Sequence, residues 1–218
     1  TSSDGYGVGR YDGIAVFVPL TTEGDIARVR ILKVKKSYAY GKLVELLTPS
    51  SSRKEPDCAV FSKCGGCVYR HINYDKECEI KSAKVENNIR RIGGYDIKPQ
   101  PIIKADRICR YRNKAQYPVV IDNGEIKTGF YSPHSHRVVH CPDCLLQPAE
   151  FEGILEVFSE YIRKYNVSVY DETKNRGLIR HIYIRKGTAS GEIMVCAVIN
   201  GKKLPAENEL VDELKENC

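Results

Sequence analysis

The sequence of 218 residues lacks any apolar run long enough to cross a membrane, and its first nine residues hold no apolar stretch of a secretory leader. These two absences predict a cytoplasmic protein without a membrane partner. Thiols stay reduced in the cytoplasm, so the nine cysteines are predicted to be metal ligands or buried small side chains rather than disulfides. Their odd number agrees, because disulfides join cysteines in pairs.

A glycine loop for a nucleotide is also missing. Residues 5–9 read Gly-Tyr-Gly-Val-Gly, which resembles the loop of nucleotide-binding and S-adenosylmethionine-binding folds. Such a loop follows an apolar strand and opens a helix, whereas only four residues precede this one and a β pattern follows. The cysteine spacing also differs from the Cx3Cx2C of radical S-adenosylmethionine chemistry. We therefore assign no residue that binds an organic cofactor, and a radical enzyme is disfavoured.

Cysteine spacing is the most informative feature that is present. One segment reads Cys58-x5-Cys64-Gly-Gly-Cys67, and far downstream the chain contains Cys141-Pro-Asp-Cys144. The two CxxC pairs could form a four-cysteine zinc site, which leaves Cys58 unused. The alternative takes the three cysteines of the first segment together with Cys144 as four thiolates around an iron–sulfur cluster. The two glycines then have a reason, because backbone without Cβ atoms folds tightly around a cluster and points its amides at sulfur.

The charge balance favours an anionic partner. Lys and Arg exceed Asp and Glu by 34 to 28, which gives a net charge of +6. The candidate RNA-binding residues are basic side chains, one histidine and one tyrosine in segments with interleaved tyrosines. They are Lys35, Lys36 and Tyr38 in the N-terminal part, and Arg110, Arg112, Lys114, Arg180, His181 and Arg185 in the C-terminal part. Basic side chains neutralise phosphates and tyrosines stack on unpaired bases, so looped or single-stranded RNA is the predicted partner, with an ordinary solvated sheet face as the alternative.

The apolar pattern predicts an α+β fold that is mainly β. Residues 13–20, 26–35 and 38–47 form three strand-like runs, which suit a small barrel of the OB type. Residues 48–56 have the composition of a linker. Residues 75–92 predict a helix that ends at two glycines. The apolar stripe of this helix comprises Cys78, Val85, Ile89 and Ile92.

The C-terminal part predicts two hairpins with a helix between them. Residues 111–121 and 125–131 flank the dipeptide Asn123-Gly124, which is a strong turn signal. Residues 178–186 and 192–199 form the second hairpin. Pro148 opens a helix whose apolar residues recur at helical spacing and are predicted to be core. They are Phe151, Ile154, Leu155, Phe158, Tyr161 and Ile162. The whole chain thus predicts hairpins with two or three helices.

Five features carry a resemblance to the RNA uracil-C5 methyltransferase family. They are the predicted barrel that ends near Leu47, the cysteine segment of residues 58–67, Tyr111-Arg-Asn-Lys114, Gly129-Phe-Tyr131 through Ser135-His136, and Cys144-Leu-Leu-Gln147. The sequence most closely resembles those members of the family that act on 23S ribosomal RNA and carry a four-iron, four-sulfur cluster. The resemblance implies that Cys58, Cys64, Cys67 and Cys144 hold such a cluster, with Cys141 as a non-ligand.

The resemblance also implies a division into domains. Residues 1–52 would form a TRAM domain, an OB-like RNA-binding barrel that lacks part of its first strand. Residues 53–76 and 109–218 would form a central iron–sulfur and RNA-binding domain built on hairpins and helices. Residues 77–108, a helix and an extended stretch, would dock on a methyltransferase domain. In the absence of that domain, the helix of residues 77–92 is expected to self-associate through its apolar stripe.

The family's catalytic domain lies C-terminal to the region that this sequence resembles. No Asp-Pro-Pro-Arg-like segment and no nucleophilic cysteine in a Ser-Cys-Asn-Pro context occur in this chain, so no catalytic residue is assigned. The resemblance therefore implies the RNA-recognition half of an S-adenosylmethionine-dependent enzyme that methylates C5 of a uridine in ribosomal RNA, truncated before its catalytic domain and inactive alone. The alternative is a free-standing RNA-binding module with a structural four-cysteine zinc site.

Overall fold

The computed structural model describes residues 1–2 and 4–217, and of Asn217 it describes the backbone only. The chain divides into two compact units. We call Thr1–Ser62 with Cys67–Ala105 unit 1, and Lys63–Gly66 with Asp106–Cys218 unit 2. No helix in the described residues has both the length and the apolar character needed to cross a membrane.

A four-stranded sheet forms the N-terminal part of unit 1. Its strands are β1 (Gly7–Tyr11), β2 (Ile14–Val18), β3 (Ile26–Val34) and β4 (Tyr38–Thr48). They lie in the order β1-β2-β4-β3, where β2 pairs with β4 in parallel and the other pairs are antiparallel. The last three strands confirm the three predicted runs, while closure into an OB-type barrel stays a prediction.

Strand β1 was not predicted from the sequence. Gly7 and Gly9 lie within it, and glycine has a low β propensity. Asp12 and Gly13 have φ values of 47° and 77°, the left-handed pair of a two-residue hairpin that places Tyr11 opposite Ile14. The Asp-Gly dipeptide is therefore the sequence signal that identifies this hairpin.

Helix α1 (Tyr74–Arg91) also belongs to unit 1. The side chain of Asn73 caps it by accepting a 2.8 Å hydrogen bond from a backbone N–H of the first turn. Cys78 is buried on this helix, as predicted. Val85 and Ile92 are 50% and 82% exposed. The predicted apolar stripe is thus covered near the start of the helix and open to solvent toward its end.

His71 lies in the interior of unit 1. It is 3% exposed and stacks on Phe61 with ring centroids 5.7 Å apart. Burial lowers the pKa of His71, and the positive charge of Arg53 lowers it further. The folded protein therefore holds this imidazole neutral over a range of pH where an exposed histidine is protonated.

We expect unit 1 to lose stability as the pH falls below about 6.5, the ordinary pKa of histidine. In that range the unfolded chain binds a proton that the folded chain does not. The unfolding free energy therefore falls, by up to about 1.4 kcal/mol for each unit by which the pKa of His71 differs between the two states. Urea denaturation at neutral and mildly acidic pH measures the loss. It should be smaller in His71→Gln and unchanged in His134→Gln, whose histidine is exposed. The same acid dependence in His71→Gln and in the wild type would contradict this expectation.

Unit 2 is a five-stranded antiparallel sheet with two helices. Its elements are β5 (Lys114–Asp122), β6 (Glu125–Tyr131), β7 (Val138–His140), α2 (Glu150–Lys164), β8 (Ile179–Lys186), β9 (Ile193–Ile199) and α3 (Glu207–Asn217). The strand order is β7-β6-β5-β8-β9. Both predicted hairpins and the predicted helix are confirmed, whereas the short β7 and α3 were not predicted individually. Two sheets and three helices agree with the predicted α+β class.

Alternation along the strands produces the core of unit 2. Ile182 and Ile184 of β8 are fully buried, and so are Tyr117 of β5 and Phe151 of α2. Asn123 and Gly124 have φ values of 54° and 82°, as a two-residue hairpin between β5 and β6 requires. One face of the sheet therefore packs against the helices. The opposite, outer face carries the side chains between the buried ones.

Candidate metal centre and nucleic-acid interface

Arg110 holds the loop of residues 141–147 in unit 2, which contains Cys141 and Cys144 and which we call the Cys144 loop. Its guanidinium donates to the carbonyl oxygens of Cys144 and Gln147 at 3.2 and 3.0 Å, and its backbone N–H donates to Leu145 at 2.8 Å. Nη1 of Arg110 lies 2.5 Å from the carboxylate of Asp143. These contacts give Arg110 a structural role in the loop. Its contact with RNA stays a prediction.

The thiol of Cys144 lies in surroundings that favour its ionised form. A hydrogen bond from the Cys141 thiol lowers the pKa of Cys144 to about 6 against the opposing effect of burial, and the backbone N–H groups of Leu146 and Gln147 lower it further. The thiolate is the form of cysteine that ligates metals. The Cys141 thiol also donates to the carbonyl oxygen of Asp143 at 3.8 Å.

The hydroxyl of Tyr117 provides a test of whether a sulfur-ligated metal group suits this loop. It is buried and has no hydrogen-bond partner among the described residues. Burial raises the pKa of Tyr117, and the charges of Cys144 and Cys141 raise it further. A cluster bound to Cys144 offers sulfur acceptors for such a hydroxyl. The chemistry of this loop therefore fits a sulfur-ligated metal group.

The cysteine segment of residues 58–67 contains two glycines with different surroundings. The backbone N–H of Gly66 donates to Sγ of Cys64 at 3.4 Å, as expected for amides directed at sulfur. The N–H of Gly65 instead donates to the carbonyl oxygen of Tyr131 at 2.9 Å. A Cβ atom at residue 65 would lie 2.9 Å from that same oxygen. Gly65 is thus required by close packing on the end of β6, a reason that the sequence did not reveal.

Cys58, Cys64, Cys67 and Cys144 are all half-buried thiols. Across residues 1–2 and 4–217, no three His, Cys, Asp or Glu side chains are grouped closely enough to hold a metal ion. The four-cysteine ligand set therefore stays a proposal that rests on spacing and on the chemistry of the Cys144 loop.

Basic and aromatic side chains share the outer face of the unit 2 sheet. Tyr183 and Arg185 alternate with the buried isoleucines of β8. Lys114 of β5 pairs with Arg185, and its Nζ lies 5.8 Å from the centroid of the Tyr183 ring. Two cations thus lie on the same face as one aromatic ring, a combination typical of surfaces that bind single-stranded nucleic acid. We call Lys114, Tyr183 and Arg185 the outer basic face.

Arg112 belongs to a second basic region in unit 2. Together with Arg107, Arg110 and Lys186 it lines a cavity of about 540 Å³ at the start of α2. Lys186 is paired there with Glu150. Arg112 is exposed, and its side chain is available to an anionic ligand.

Unit 1 contains its own aromatic cluster. Tyr38 meets Phe17 edge-on with centroids 5.8 Å apart, and Tyr40 lies 5.5 Å from Tyr38. Lys35 and Lys36 are exposed on the turn that precedes Tyr38. The sequence did not identify Phe17 as a member, because the parallel pairing of β2 with β4 brings it opposite Tyr40.

Comparisons with known proteins agree with this architecture. Residues 1–44 match the family model of the TRAM domain. An uncharacterized RNA methyltransferase of Clostridium tetani is 38% identical over 98% of this chain and 46% of its own length. A second one, from Caldanaerobacter subterraneus, is 40% identical over 98% of this chain and 47% of its own length.

A solved structure is similar as well. The Pyrococcus abyssi tRNA (uracil-54, C5)-methyltransferase, in complex with S-adenosyl-L-homocysteine, has a TM-score of 0.67 and 26% identity. The match covers 96% of this chain and 49% of that one. This chain thus spans about half the length of the relatives it matches. It carries a TRAM match at residues 1–44 and is similar along nearly its whole length to RNA methyltransferases.

Proposed function

We propose that this chain is the RNA-recognition part of an S-adenosylmethionine-dependent enzyme that methylates C5 of a uridine in 23S ribosomal RNA in the cytoplasm. One observation carries the proposal: 98% of this chain matches less than half of each curated RNA methyltransferase, which leaves those relatives room for a catalytic domain. The solved tRNA (uracil-54, C5)-methyltransferase supports the uracil-C5 chemistry. The choice of ribosomal rather than transfer RNA as the substrate rests on the cysteine pattern.

Gene deletion tests the proposed function. We expect 5-methyluridine to disappear from one position of 23S ribosomal RNA, as measured by mass spectrometry of nuclease fragments. Loss of 5-methyluridine from transfer RNA alone would support the methyltransferase activity but change its substrate to transfer RNA. Unchanged methylation in both RNA classes would favour the alternative, a free-standing RNA-binding module with a zinc site.

The outer basic face is proposed to contact RNA phosphates and bases, with Arg112, Arg180, His181 and, in unit 1, Lys35, Lys36 and Tyr38 as further contacts. For the double variant Lys114→Gln/Arg185→Gln we expect weaker binding of single-stranded RNA. The slope of log K against log salt should fall by about 1.4, since each phosphate contact on a single strand contributes about 0.7. Fluorescence anisotropy at several salt concentrations measures it.

The matched control removes the same charge elsewhere in unit 2. Arg163 and Lys164 are exposed at the end of α2, which packs on the opposite face of the sheet. Arg163→Gln/Lys164→Gln should leave the salt slope close to that of the wild type. Equal losses in both double variants would mean that net charge, and not this face, determines RNA binding.

We further propose that Cys58, Cys64, Cys67 and Cys144 hold a four-iron, four-sulfur cluster. When bound, such a cluster would hold the cysteine segments in place beside the proposed RNA-binding loops. The lowered pKa of the Cys144 thiol and the buried hydroxyl of Tyr117 support a sulfur-ligated group in unit 2. S-adenosylmethionine would bind only in the whole enzyme.

Anaerobic purification should yield about four irons and four sulfides per chain. In Cys144→Ser we expect most of the iron and the brown absorption to be lost. Cys196→Ser is the control, because Cys196 is exposed on β9. A colourless wild type with one zinc would instead support the zinc module, and unchanged iron in Cys144→Ser would remove Cys144 from the ligand set.

The exposed apolar residues of unit 1 are proposed to contact the methyltransferase domain. They include Val85, Ile92, Tyr95, Ile97 and Ile103, of which Ile103 is 95% exposed. Patches of this kind mark interaction surfaces. If this chain is studied alone, self-association through the helix is expected to shield them. A concentration-independent monomer in light scattering would contradict that self-association.

A further inference from the structure

A cavity of about 370 Å³ lies at the end of the unit 2 sheet, beside the outer basic face. Its walls are residues 118–121 of β5, residues 169–173, and the side chains of Tyr131, His136, Arg180 and His181. Arg180 and His181 are among the predicted RNA-binding residues. The cavity itself has no counterpart in the sequence pattern.

A β-bulge directs Arg180 into this cavity. Ile179 pairs with Ile199 and His181 pairs with Val198, so that Arg180 is the extra residue without a partner on β9. Bulges commonly re-aim a side chain in this way. The guanidinium carbon of Arg180 lies 4.3 Å from the centroid of the Tyr170 ring. Arg180 is thereby held in place by stacking.

The buried Nε of Arg180 lacks a hydrogen-bond acceptor. Among the described residues no partner is found for it, although its surface is closed to water. An unsatisfied buried donor is costly in free energy. Nε is closed to a ligand as it is to water, so a ligand in the cavity would meet the other N–H groups of this guanidinium, which lines the cavity while stacked on Tyr170. A guanidinium held in this way at the cavity wall is the observation that identifies the cavity as a binding site.

Three aromatic rings form another part of the cavity wall. The rings of Tyr131 and His136 lie 5.4 Å apart, and the Tyr131 hydroxyl lies 3.4 Å from Nε2 of His181. Burial lowers the pKa of His181, and the charge of Arg180 lowers it further, which favours the neutral imidazole.

Two carboxylates decide against a phosphate as the ligand. Asp171 and Glu172 line the same cavity as Arg180. Glu172 lies 2.9 Å from Nδ1 of His136. Asp171 accepts a hydrogen bond from the backbone N–H of Thr173, and its carboxylate lies 3.0 Å from Nζ of Lys174, which offsets part of its charge. The remaining negative charge disfavours a phosphate beside Arg180, whereas an uncharged heteroaromatic ring meets no such repulsion.

We propose that this cavity binds one unpaired nucleobase of the RNA, with a base carbonyl oxygen accepting from Arg180 and the ring packing on Tyr131 and His136. Uracil and guanine present such an oxygen, whereas adenine presents an amine instead. The identity of the ligand as RNA rests on the proposed function. The cavity would bind one base, while the outer basic face would contact phosphates and other bases.

The test compares an oligouridine of about ten nucleotides with an abasic strand of the same length. Both strands carry the same phosphates, so a difference in affinity reports recognition of bases. We expect wild type to prefer oligouridine and Arg180→Lys, which keeps the charge but loses the planar fork, to reduce that preference about tenfold. Arg185→Gln is the matched control on the same strand and should weaken both RNAs by the same factor. A preference that Arg180→Lys leaves unchanged would overturn the proposal.

A titration with uridine nucleoside, which has no phosphate, tests the cavity independently of the proposed function. We expect it to shift the imidazole NMR signals of His136 and His181 in the wild type, and adenosine to shift them less. If RNA binds but neither nucleoside moves these signals, the cavity assignment is overturned and RNA binding stands. If uridine moves them but neither strand binds, the proposed function fails and the cavity stands. This titration needs no variant, so it decides the matter even if substitution of Arg180 impairs folding.

Discussion

Replacement of Arg53 by alanine is expected to lower the unfolding free energy of unit 1 by about 3–5 kcal/mol. Arg53 and Asp25 form a double ion pair, with Nε to Oδ1 at 2.7 Å and Nη2 to Oδ2 at 2.8 Å. Nη2 of Arg53 also donates to the carbonyl oxygen of Leu20 at 2.7 Å. The Asp25 side chain is 2% exposed and the Arg53 side chain 15%.

The size of the effect follows from what the variant leaves behind. Burial by itself would raise the pKa of Asp25, but hydrogen bonds from Arg53 and from the N–H groups of Thr22 and Ser50 outweigh it and lower that pKa. Without Arg53 the buried carboxylate keeps only its backbone donors. A buried charge that has lost its partner costs several kcal/mol.

An exposed pair of the same chemistry provides the control. Arg28 and Glu45 lie 2.6 Å apart, with side chains 65% and 51% exposed. Arg28→Ala should therefore cost less than about 1 kcal/mol. Native-state hydrogen exchange of the amides in β2 and β4 measures both variants within unit 1. Similar losses in the two variants would mean that burial of the Arg53 pair carries no special weight.

The second large effect is expected for Ile182→Ala in unit 2. Ile182 is fully buried between the sheet and the helices, so its truncation should cost about 2–5 kcal/mol through lost burial and the cavity left behind. Because its neighbours His181 and Tyr183 lie on the outer face, the loss should also loosen the strand that carries the proposed RNA contacts. Urea denaturation and hydrogen exchange in β8 measure the change.

Ile121→Ala is the matched control for the core substitution. Ile121 belongs to β5 of the same sheet but is 59% exposed. Its truncation removes the same atoms from a site that water already reaches. The expected cost is below about 1 kcal/mol. If both substitutions destabilise unit 2 equally, the helices do not cover the face that contains Ile182.

Much of the fold could be predicted because its signals are local. The Asn123-Gly124 turn, the alternation in β8 and the helical spacing in α2 each occupy fewer than twenty consecutive residues. Strand β1 was not predicted because its glycines weaken the strand pattern. Helix α3 was not predicted because its sequence is mostly charged.

The sites were less accessible to sequence reasoning because their partners are distant in the chain. Asp25 and Arg53 are 28 positions apart, and the contacts of Arg110 with the Cys144 loop span more than thirty. The role of Arg180 depends on the register of β8 against β9, which no local pattern specifies. Residue types therefore identified the basic positions, and only the three-dimensional structure separated those that shape a loop from those that face a cavity.

The bulge in β8 has an evolutionary consequence. Because Arg180 has no opposite residue on β9, a chain without it could pair Ile179 and His181 with the same two residues and keep every other pair. Deletion of a single codon would then abolish the arginine and leave the alternation of inner and outer side chains intact. Loss of this one residue would therefore remove the arginine of the proposed base-binding cavity without a change in the strand order of the sheet.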